Sequence, residues 1–421
     1  MEAQRPDWQA RNPEPAGWYA GDAHVHLDCG VGGGYEPATP AEIRAAMKTH
    51  NLAVVSLLAD MGNGEVRVAE RDLPQVNGQD HPISSAGRLL HWDAEWHFDP
   101  KGVTFEKKVL GGHLILLGLK QAETVFAESP NTIIAWAKKQ QAIVGFAHMQ
   151  YLNDGIPDEL SCCLPLDYPV EVALKTVDFL MEDVWRNEAA IHAYYRLLNC
   201  GFRPGLAMGT DFPCNERKPI GSLLTYTSIP NGKLTYRNWI EGIARGRTVI
   251  STNGHDEFLD LKVNRVAGPG DEIRRDKPER FPVTVRWTAT LPLSGRIELV
   301  HNGKVIAIQE GEAATGKPVE LSTSVEFKAS GWLCACRMND QGHQTHTAAV
   351  FVTIHQAPVR ASSDDALYFV RFIDNLLQKT SAGGPWNQYF NKDLTAVHNR
   401  YRQAQEIYQR IAKEAQIQKG Q

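Results

Sequence analysis

The sequence of 421 residues lacks any cluster of Lys and Arg, and its formal net charge at pH 7 is -5. A surface that binds nucleic acid needs a basic patch, so this absence argues against a nucleic-acid partner. No apolar run approaches the roughly 20 residues that a membrane-spanning helix requires, so we expect no membrane segment. Residues 1–17 are polar and contain proline, without the apolar stretch of a secretory signal. We therefore expect a cytoplasmic protein, while export of a precursor stays open.

Cysteine is also scarce, with seven residues, an odd number. Neither the adjacent Cys162 and Cys163 nor the pair Cys334 and Cys336 has the spacing of a zinc site. This usage favours buried free thiols over a disulfide framework. The chain also lacks internal repeats and low-complexity tracts.

Short apolar runs alternate with helical stretches along the first 255 residues. The apolar runs stop at turn residues, which is typical of strands buried on both faces. The predicted helices between them include Pro40–His50, Ser129–Gln141 and Val177–Leu198. This alternation predicts a parallel α/β barrel or sheet, in which catalytic residues gather at the carboxyl ends of the strands.

Beyond residue 255, apolar and polar residues alternate with the period of two that is typical of antiparallel strands. The alternating segments are Leu259–Val266, Phe281–Thr290, Arg296–Gln309 and Trp332–Met338, with a turn signal at Asn302-Gly303. They predict a small antiparallel β-sandwich that supports the first domain. Two helices follow, at Asp365–Lys379 and Thr395–Lys413. We therefore expect a tail (1–18), an α/β domain (19–255), a β-sandwich (256–356) and a helical C-terminal segment (357–421).

His24 and His26 form a His-x-His pair that ends an apolar approach and precedes a glycine-rich loop. Residues two apart in a strand point to the same face, so both imidazoles would project into one pocket. Two neutral imidazoles that converge on one point suit a borderline metal such as zinc or manganese. The alternative is a pair of polar residues at the end of a strand.

Four other predicted strands end or begin at a side chain that could bind a metal: Asp60, His113, His148 and Asp211. Glu95 lies in an aromatic-rich stretch and completes the set. Its carboxylate has two oxygens and could bridge two cations, as two-metal hydrolases require. The alternative is an exposed surface acid.

The order of these residues resembles that of the PHP (polymerase and histidinol phosphatase) metallohydrolases. More specifically, the chain resembles the CehA/McbA-type branch, which includes carbaryl hydrolases. The matching segments are Trp18–His26, Gly112–Gly118, Gly145–His148, Ser251–Gly254, Gly331–Arg337 and His343–Val350. The resemblance extends from about Trp18 to about Thr380. It implies a distorted seven-stranded (βα)7-type PHP barrel, followed by the β-sandwich and the C-terminal helices.

The resemblance also implies a binuclear centre of two divalent ions, zinc or manganese, that share one carboxylate. The first metal position matches His24, His26, Glu95 and Asp211. The second matches Glu95 again, together with His113 and His148. Open positions would remain for water and substrate, as a catalytic site needs.

Many members of this family hold a third metal with two further histidines. In this chain, Met61 and Pro213 stand at those positions. A thioether and a proline cannot replace two imidazoles as ligands, so we expect no third metal.

The expected function is metal-dependent hydrolysis of an ester-type bond by a metal-activated water. Asp211 would bind one metal and accept the proton of the nucleophile, while Asp60 would orient a histidine ligand. By resemblance, the leading substrate is a small carboxylic or carbamate ester. One alternative is a phosphoesterase, with Arg88, Lys107 or Arg186 binding the phosphate. Another is a non-catalytic metal-containing binding protein.

Several further residues could belong to the rim of the site. Trp92, Trp96, Phe98 and Tyr151 would form an apolar rim suited to an uncharged ester. Gly30–Gly34 is predicted to form a loop at the rim. Asp28 and Glu36 could reach the site or could be surface acids. His97 and His255 are candidate proton donors to the leaving group. A homo-oligomer is possible.

Overall fold

The computed structural model describes residues 12–28, 37–63, 69–98, 112–123, 129–149, 155–156, 164–182, 189–214, 218–230, 232–387 and 394–419. Within these ranges the chain is a mixed α/β protein with eighteen strands and eight α-helices. The strands are β1 (Trp18–Val25), β2 (Val54–Asn63), β3 (Leu89–Phe98), β4 (His113–Leu117), β5 (Ile143–Phe146), β6 (Phe179–Glu182), β7 (Gly205–Met208), β8 (Leu224–Ser228), β9 (Thr248–Ser251), β10 (Glu257–Val263), β11 (Glu272–Arg275), β12 (Glu279–Ala289), β13 (Leu293–His301), β14 (Lys304–Ala313), β15 (Val319–Phe327), β16 (Gly331–Asn339), β17 (Gly342–Thr347) and β18 (Val350–Ile354). The helices are α1 (Pro40–Thr49), α2 (Ala69–Asp72), α3 (Pro130–Lys139), α4 (Tyr168–Ala173), α5 (Ala189–Asn199), α6 (Tyr236–Ala244), α7 (Ser363–Thr380) and α8 (Leu394–Lys419).

The first seven strands pair in chain order. β1, β2 and β3 are parallel, β4 is antiparallel to both β3 and β5, and β5, β6 and β7 are again parallel. After β7, a bridge between Phe212 and Val25 brings the two ends of this run of strands together. Two backbone hydrogen bonds reinforce the bridge, from Asp211 N to His24 O (2.8 Å) and from His26 N to Phe212 O (2.6 Å).

Two expectations for this part of the chain are wrong. The strands are not all parallel, because β4 runs against its neighbours. The predicted helix Val177–Leu198 instead contains β6, and α5 begins only at Ala189. The apolar run Phe179-Leu180-Met181 is too short for periodicity to distinguish a strand from a helix. Pairing with β5 and β7 determines that it is a strand.

Helix α1 illustrates local signals that the sequence carries by itself. Thr39 and Glu42 form a capping box, in which Thr39 Oγ1 accepts a bond from Glu42 N (3.3 Å) and Glu42 Oε2 accepts one from Thr39 N (2.7 Å). Pro40 occupies the first helical position, where its missing N–H costs nothing. Ile43 and Met47 then bury one face of the helix.

The second part of the chain is continuous with the first through one sheet. β8 pairs with β1, β9 with β8, and β17 with β9, so a fifteen-stranded sheet spans both parts. β10, β12 and β15 form a separate antiparallel sheet. The segment Arg296–Gln309 contains parts of two strands, β13 and β14, which meet at the predicted Asn302-Gly303 turn. Glu257 of β10 accepts a hydrogen bond from Arg337 Nε of β16 (2.7 Å), which joins the two sheets, and another from Trp287 Nε1 of β12 (2.8 Å) within its own sheet.

The two C-terminal helices pack against the first part of the chain. The Tyr401 hydroxyl of α8 donates to Asp167 Oδ1 at 2.6 Å, and Arg400 Nη2 pairs with Glu171 of α4 at 2.5 Å. Tyr401 and Tyr408 are buried, so one face of α8 packs against the protein although much of the helix is charged. None of the helices in the described ranges has the length and apolar character needed to cross a membrane.

The cysteines differ in part from the expectation that they are free thiols. Cys200, Cys334 and Cys336 are free and buried, as the sequence suggested. Cys214 is in a disulfide bond. Because one disulfide needs only two cysteines, an odd total could not exclude it. Cys162 and Cys163 lie outside the described residues.

Candidate metal centre

Strand β3 carries a row of polar side chains on one face and apolar side chains on the other. His91, Asp93, Glu95 and His97 alternate with core residues that include Trp92 and Trp96. The structure therefore corrects the expected aromatic rim, because Trp92 is 3% exposed and Trp96 is 0% exposed within the hydrophobic core. Tyr151 and the side chain of Phe98 lie outside the described residues.

Four side chains converge at the end of β1, as the His-x-His pair suggested. His24 Nε2 lies 3.1 Å from His26 Nε2, and both nitrogens approach Glu95 Oε2, at 3.3 Å and 3.0 Å. Asp211 Oδ1 lies 3.3 Å from His24 Nε2 and 3.6 Å from His26 Nε2. All four residues are buried. The structure thus brings together the four residues of the expected first metal position.

A second group forms on the other oxygen of Glu95. Glu95 Oε1 lies 2.9 Å from His113 Nδ1 and 3.4 Å from His148 Nε2, and these two nitrogens are 3.0 Å apart. His113 is the first residue of the antiparallel strand β4, so it lies at the edge where β3 ends. The two oxygens of one buried carboxylate therefore face two different groups of imidazoles.

The spacing of these atoms fits the binding of divalent cations. A metal about 2.1 Å from each of four tetrahedral ligands holds the ligand atoms about 3.4 Å apart. The distances within the first group lie between 3.0 and 3.6 Å. Imidazole nitrogens and carboxylate oxygens all donate electron pairs. Where they converge in a buried site, a bound cation would stabilise them by balancing the negative charge of the carboxylates. The donor set suits zinc or manganese.

The hydrogen bond at the outer ring nitrogen of His26 selects its tautomer. His26 Nδ1 donates a hydrogen bond to Leu58 O at 2.9 Å, which leaves Nε2 with its lone pair directed toward Glu95 and Asp211. Asp60 Oδ1 is 3.5 Å from the same Nδ1, so the Leu58 carbonyl is the nearer orienting group. The structure therefore places Asp60 beside His26, but the hydrogen bond of Nδ1 goes to Leu58 O.

Burial and mutual charge shape the protonation of the site. Burial would raise the pKa of Glu95, but the imidazoles of His24 and His113 hold it well below its usual range. Burial lowers the pKa of His113 to about 4, so this imidazole is neutral at pH 7. Burial also opposes protonation of His26, yet Glu95 and Asp60 raise its pKa. An ionised carboxylate beside a neutral imidazole is the state in which both bind metals.

The backbone at the site has unusual conformations. His148 and Asp211, which follow β5 and β7, have positive φ angles of 57° and 51°. Such angles are uncommon for residues other than glycine and cluster at functional sites. A Cβ at Gly209 would lie 2.6 Å from His24 N, so glycine is needed where this loop passes β1.

Asp22 is a buried acid beside the candidate ligands that the sequence alone did not single out. It is fully buried, and its carboxylate accepts bonds from Thr210 Oγ1 (2.7 Å), Thr210 N (3.0 Å), Gly221 N (3.1 Å) and His24 N (3.3 Å). Burial raises the pKa of Asp22 to about 6, against these hydrogen bonds. Its position two residues before His24, on the same strand, was the available signal.

The remaining candidates lie in different places. His97 is buried, with its ring centre 5.2 Å from that of His113. His255 is bonded through both nitrogens, to Glu14 Oε2 (2.8 Å) and to His50 O (3.1 Å), and so is not placed as a proton donor.

Met61, Pro213, Arg88 and Asp28 complete the described candidates. Met61 packs in the core on the face of β2 opposite to Asp60. Pro213 follows Phe212 through a cis peptide bond. Arg88 Nη2 lies 3.4 Å from Asn51 Oδ1 near the start of β3, away from Glu95. Asp28 lies 3.8 Å from Arg71 Nη1, an arginine that the sequence analysis missed. Gly30–Gly34, Glu36, Lys107 and Arg186 lie outside the described residues.

Comparisons with known proteins give weak similarities. No protein-family model and no curated protein matches the chain. The fold is similar to a two-domain protein containing a predicted PHP-like metal-dependent phosphoesterase from Bacteroides vulgatus, with 14% identity, a TM-score of 0.43, and coverage of 82% of this chain and 99% of that chain. It is also similar to the sulfur carrier protein SoxY from Chlorobium limicola (14% identity, TM-score 0.17, 23% of this chain and 73% of that chain). A CARDB domain from Pyrococcus furiosus also matches, with 14% identity, a TM-score of 0.18, and coverage of 24% of this chain and 94% of that chain. At TM-scores of 0.43 or less, these similarities assign no family to the chain.

Proposed function

We propose that the chain is a binuclear metal-dependent hydrolase that cleaves an ester-type bond, built on a distorted seven-stranded barrel of the PHP type. One observation carries the proposal. Glu95 Oε2 faces His24 and His26, and Glu95 Oε1 faces His113 and His148. A buried carboxylate divided in this way between two sets of imidazoles is the arrangement that a pair of bridged cations requires.

The side chains divide the chemical work among themselves. His24, His26, Glu95 and Asp211 would hold one ion, and Glu95 with the two remaining histidines would hold the other. When bound, such ions activate water and polarise the ester oxygen. The Asp211 side chain is 12% exposed against 5% for Glu95, so Asp211 Oδ1 is the ligand carboxylate better placed to accept a proton from an entering water.

Replacement of the shared carboxylate tests the binuclear centre. Elemental analysis of protein reconstituted with zinc or manganese should find two ions per chain. Glu95→Gln should lose both ions and activity together, because an amide has only one oxygen with which to bind a cation. Asp93→Asn is a matched control on the same strand, since its new amide oxygen can still accept from Gly118 N and Leu119 N. Two ions and normal turnover in Glu95→Gln would refute the proposal.

For the substrate, we propose a neutral carboxylic or carbamate ester. The resemblance of the sequence to the CehA/McbA-type branch supports this choice. The expected aromatic rim gives no support for an uncharged ester, because Trp92 and Trp96 are core residues. N-methylcarbamates and 4-nitrophenyl acetate should therefore have higher kcat/KM than 4-nitrophenyl phosphate, measured at one pH with one metal.

One observation favours a phosphoesterase as the second candidate. Arg71 is held by Asp72 through Nε and Nη2, at 2.6 and 2.7 Å, while Nη1 points toward Asp28, two residues after His26. A guanidinium held near the segment that follows His26 would suit a phosphate oxygen.

Substitution of this arginine separates the two candidates. If phosphate is the substrate, 4-nitrophenyl phosphate should be preferred by about tenfold or more, which is about 1.4 kcal/mol of transition-state binding. Arg71→Met should then lose that preference, while the exposed Arg237→Met control keeps it. Metal binding without turnover of any of these substrates would instead favour a non-catalytic binding protein.

A further inference from the structure

A second cavity lies away from the metal centre, beside β8 and the loop that follows β9. Its volume is about 480 Å³, within the range of small-molecule sites. Its walls include Thr252, Asn253 and Gly254, part of a segment that the proposed function does not use. The wall also includes Asn12 near the N-terminus, Thr49–Asn51 at the end of α1, Gly221 and Ser222 before β8, and Thr290 after β12, so five regions of the chain meet there.

The side chains around this cavity have an unusual composition for a ligand site. Twelve described residues line it, and each is Asn, Ser, Thr, His, Asp or Gly. No described lining residue is Lys or Arg, which leaves no cationic fork or ammonium for a phosphate or carboxylate ligand. None has a large apolar side chain, so an aromatic or lipid ligand would find no hydrophobic contact there.

Several polar groups of the wall are held in place by one another and by buried Glu14. His255 is bonded to buried Glu14 (2.8 Å) and to His50 O (3.1 Å). Thr290 Oγ1 donates to Asp256 Oδ1 at 3.0 Å. Polar groups that are already oriented bind a polar ligand with little ordering cost.

We propose that this cavity binds an uncharged polyhydroxylated molecule, a sugar or a polyol. Such a ligand offers many hydroxyl groups and no charge, and each hydroxyl can both donate and accept, as the amide and hydroxyl side chains of the wall require. The Asp256 carboxylate would accept from a ligand hydroxyl in a charge-assisted bond.

The cavity wall is also connected to the metal centre. Gly221 N, in the wall, donates to Asp22 Oδ2 at 3.1 Å, and Asp22 Oδ1 accepts from His24 N and Thr210 N. An occupant that moves Gly221 would therefore act on the segment that carries His24. This connection gives the site a route to affect the centre and does not depend on the reaction catalysed there.

Saturation-transfer NMR on the full chain, with glucose and xylitol as separate probes, tests the proposal. At least one probe should give a saturable signal, and the comparison of the two distinguishes a ring from a linear chain of hydroxyls. 4-Nitrobenzoate, which is anionic and aromatic, should give no saturable signal that the cavity variants change. NMR avoids the general stabilisation by excluded sugars that would confuse a thermal shift.

Variants then locate the binding. Asn253→Leu replaces the amide by an apolar group of similar size, and it should weaken binding by about tenfold or more through the unpaired ligand hydroxyls. Gln79→Leu, on the wall of a different cavity, is the matched control and should bind as the parent does. If Asn253→Leu fails to fold, Thr290→Val replaces it. If neither probe gives a saturable signal, or if the cavity variant binds as strongly as the parent, the proposal is overturned.

Discussion

Replacement of Thr210 by valine tests whether the buried hydrogen bonds of Asp22 hold the loop that follows β7 and carries Asp211 against β1. Thr210 Oγ1 donates to Asp22 Oδ2 at 2.7 Å, and both residues are completely buried. The same hydroxyl accepts from Phe212 N at 3.3 Å. Valine has nearly the same shape, so the change removes these bonds and leaves the packing intact.

The expected cost follows from the charge of the acceptor. A hydrogen bond to an ionised group contributes about 1.5–3 kcal/mol, and after the substitution the buried Asp22 Oδ2 keeps only the bond from Gly221 N. We expect Thr210→Val to lower the free energy of unfolding by about 2–3 kcal/mol, or the melting temperature by about 5 °C. Burial raises the pKa of Asp22 to about 6, although the hydrogen bonds from Thr210 act to lower it. The loss of unfolding free energy in Thr210→Val should therefore be larger at pH 8, where Asp22 is ionised, than at pH 5.

A matched control is available on β8. Thr227 is also completely buried, and its hydroxyl has no hydrogen-bond partner among the residues that the structure describes. Thr227→Val should therefore be neutral or stabilising, because it removes an unsatisfied buried hydroxyl. Thermal unfolding of both variants with bound metal, at pH 5 and pH 8, is the measurement. Equal losses in the two variants, or no loss in Thr210→Val, would refute the reasoning.

Three further predictions concern the loop, a buried acid and the metals. Gly209→Ala should abolish metal binding, because the new Cβ would lie 2.6 Å from His24 N, whereas Gly268→Ala, whose Cβ meets nothing closer than 3.4 Å, should keep both ions in elemental analysis. Burial raises the pKa of Asp167 to about 7, so the stability of the parent should fall as pH rises from 5 to 8. Asp167→Asn can still accept from Tyr401 and does not titrate, so its free energy of unfolding should rise by about 2 kcal/mol relative to that of the parent between pH 5 and pH 8. Chemical denaturation at the two pH values measures this difference, and a difference that does not change with pH would contradict the burial argument. Removal of metal by a chelator should lower the melting temperature and abolish hydrolysis together, and readdition should restore both; an unchanged melting temperature would argue against a buried metal centre.

Local sequence signals predicted the helices well where caps and termini were clear. Thr39 and Pro40 mark the start of α1, and α1, α3 and α7 lie close to their predicted positions. The short apolar run at Phe179 gave no such signal, and its strand pairing with β5 and β7 could not be read from propensity.

The sequence by itself determined which side chains could bind metal, because ligand chemistry belongs to residue types. It placed His24, His26, His148 and Asp211 at strand ends, where the fold does gather them with Glu95 and His113. The carboxyl ends of parallel strands lie at the same edge of a sheet, so this gathering could be expected before the order of the strands was known.

Only the tertiary structure decided the direction of β4, the burial of Trp92 and Trp96, and the carbonyl of Leu58 as an orienting acceptor. Each depends on pairing or packing between segments far apart in the chain. The same holds for Asp22, whose donors come from β1, from Thr210 and from Gly221. A single strand shows which residues share a face, but the partner that this face meets is fixed only when distant segments compete to bury it.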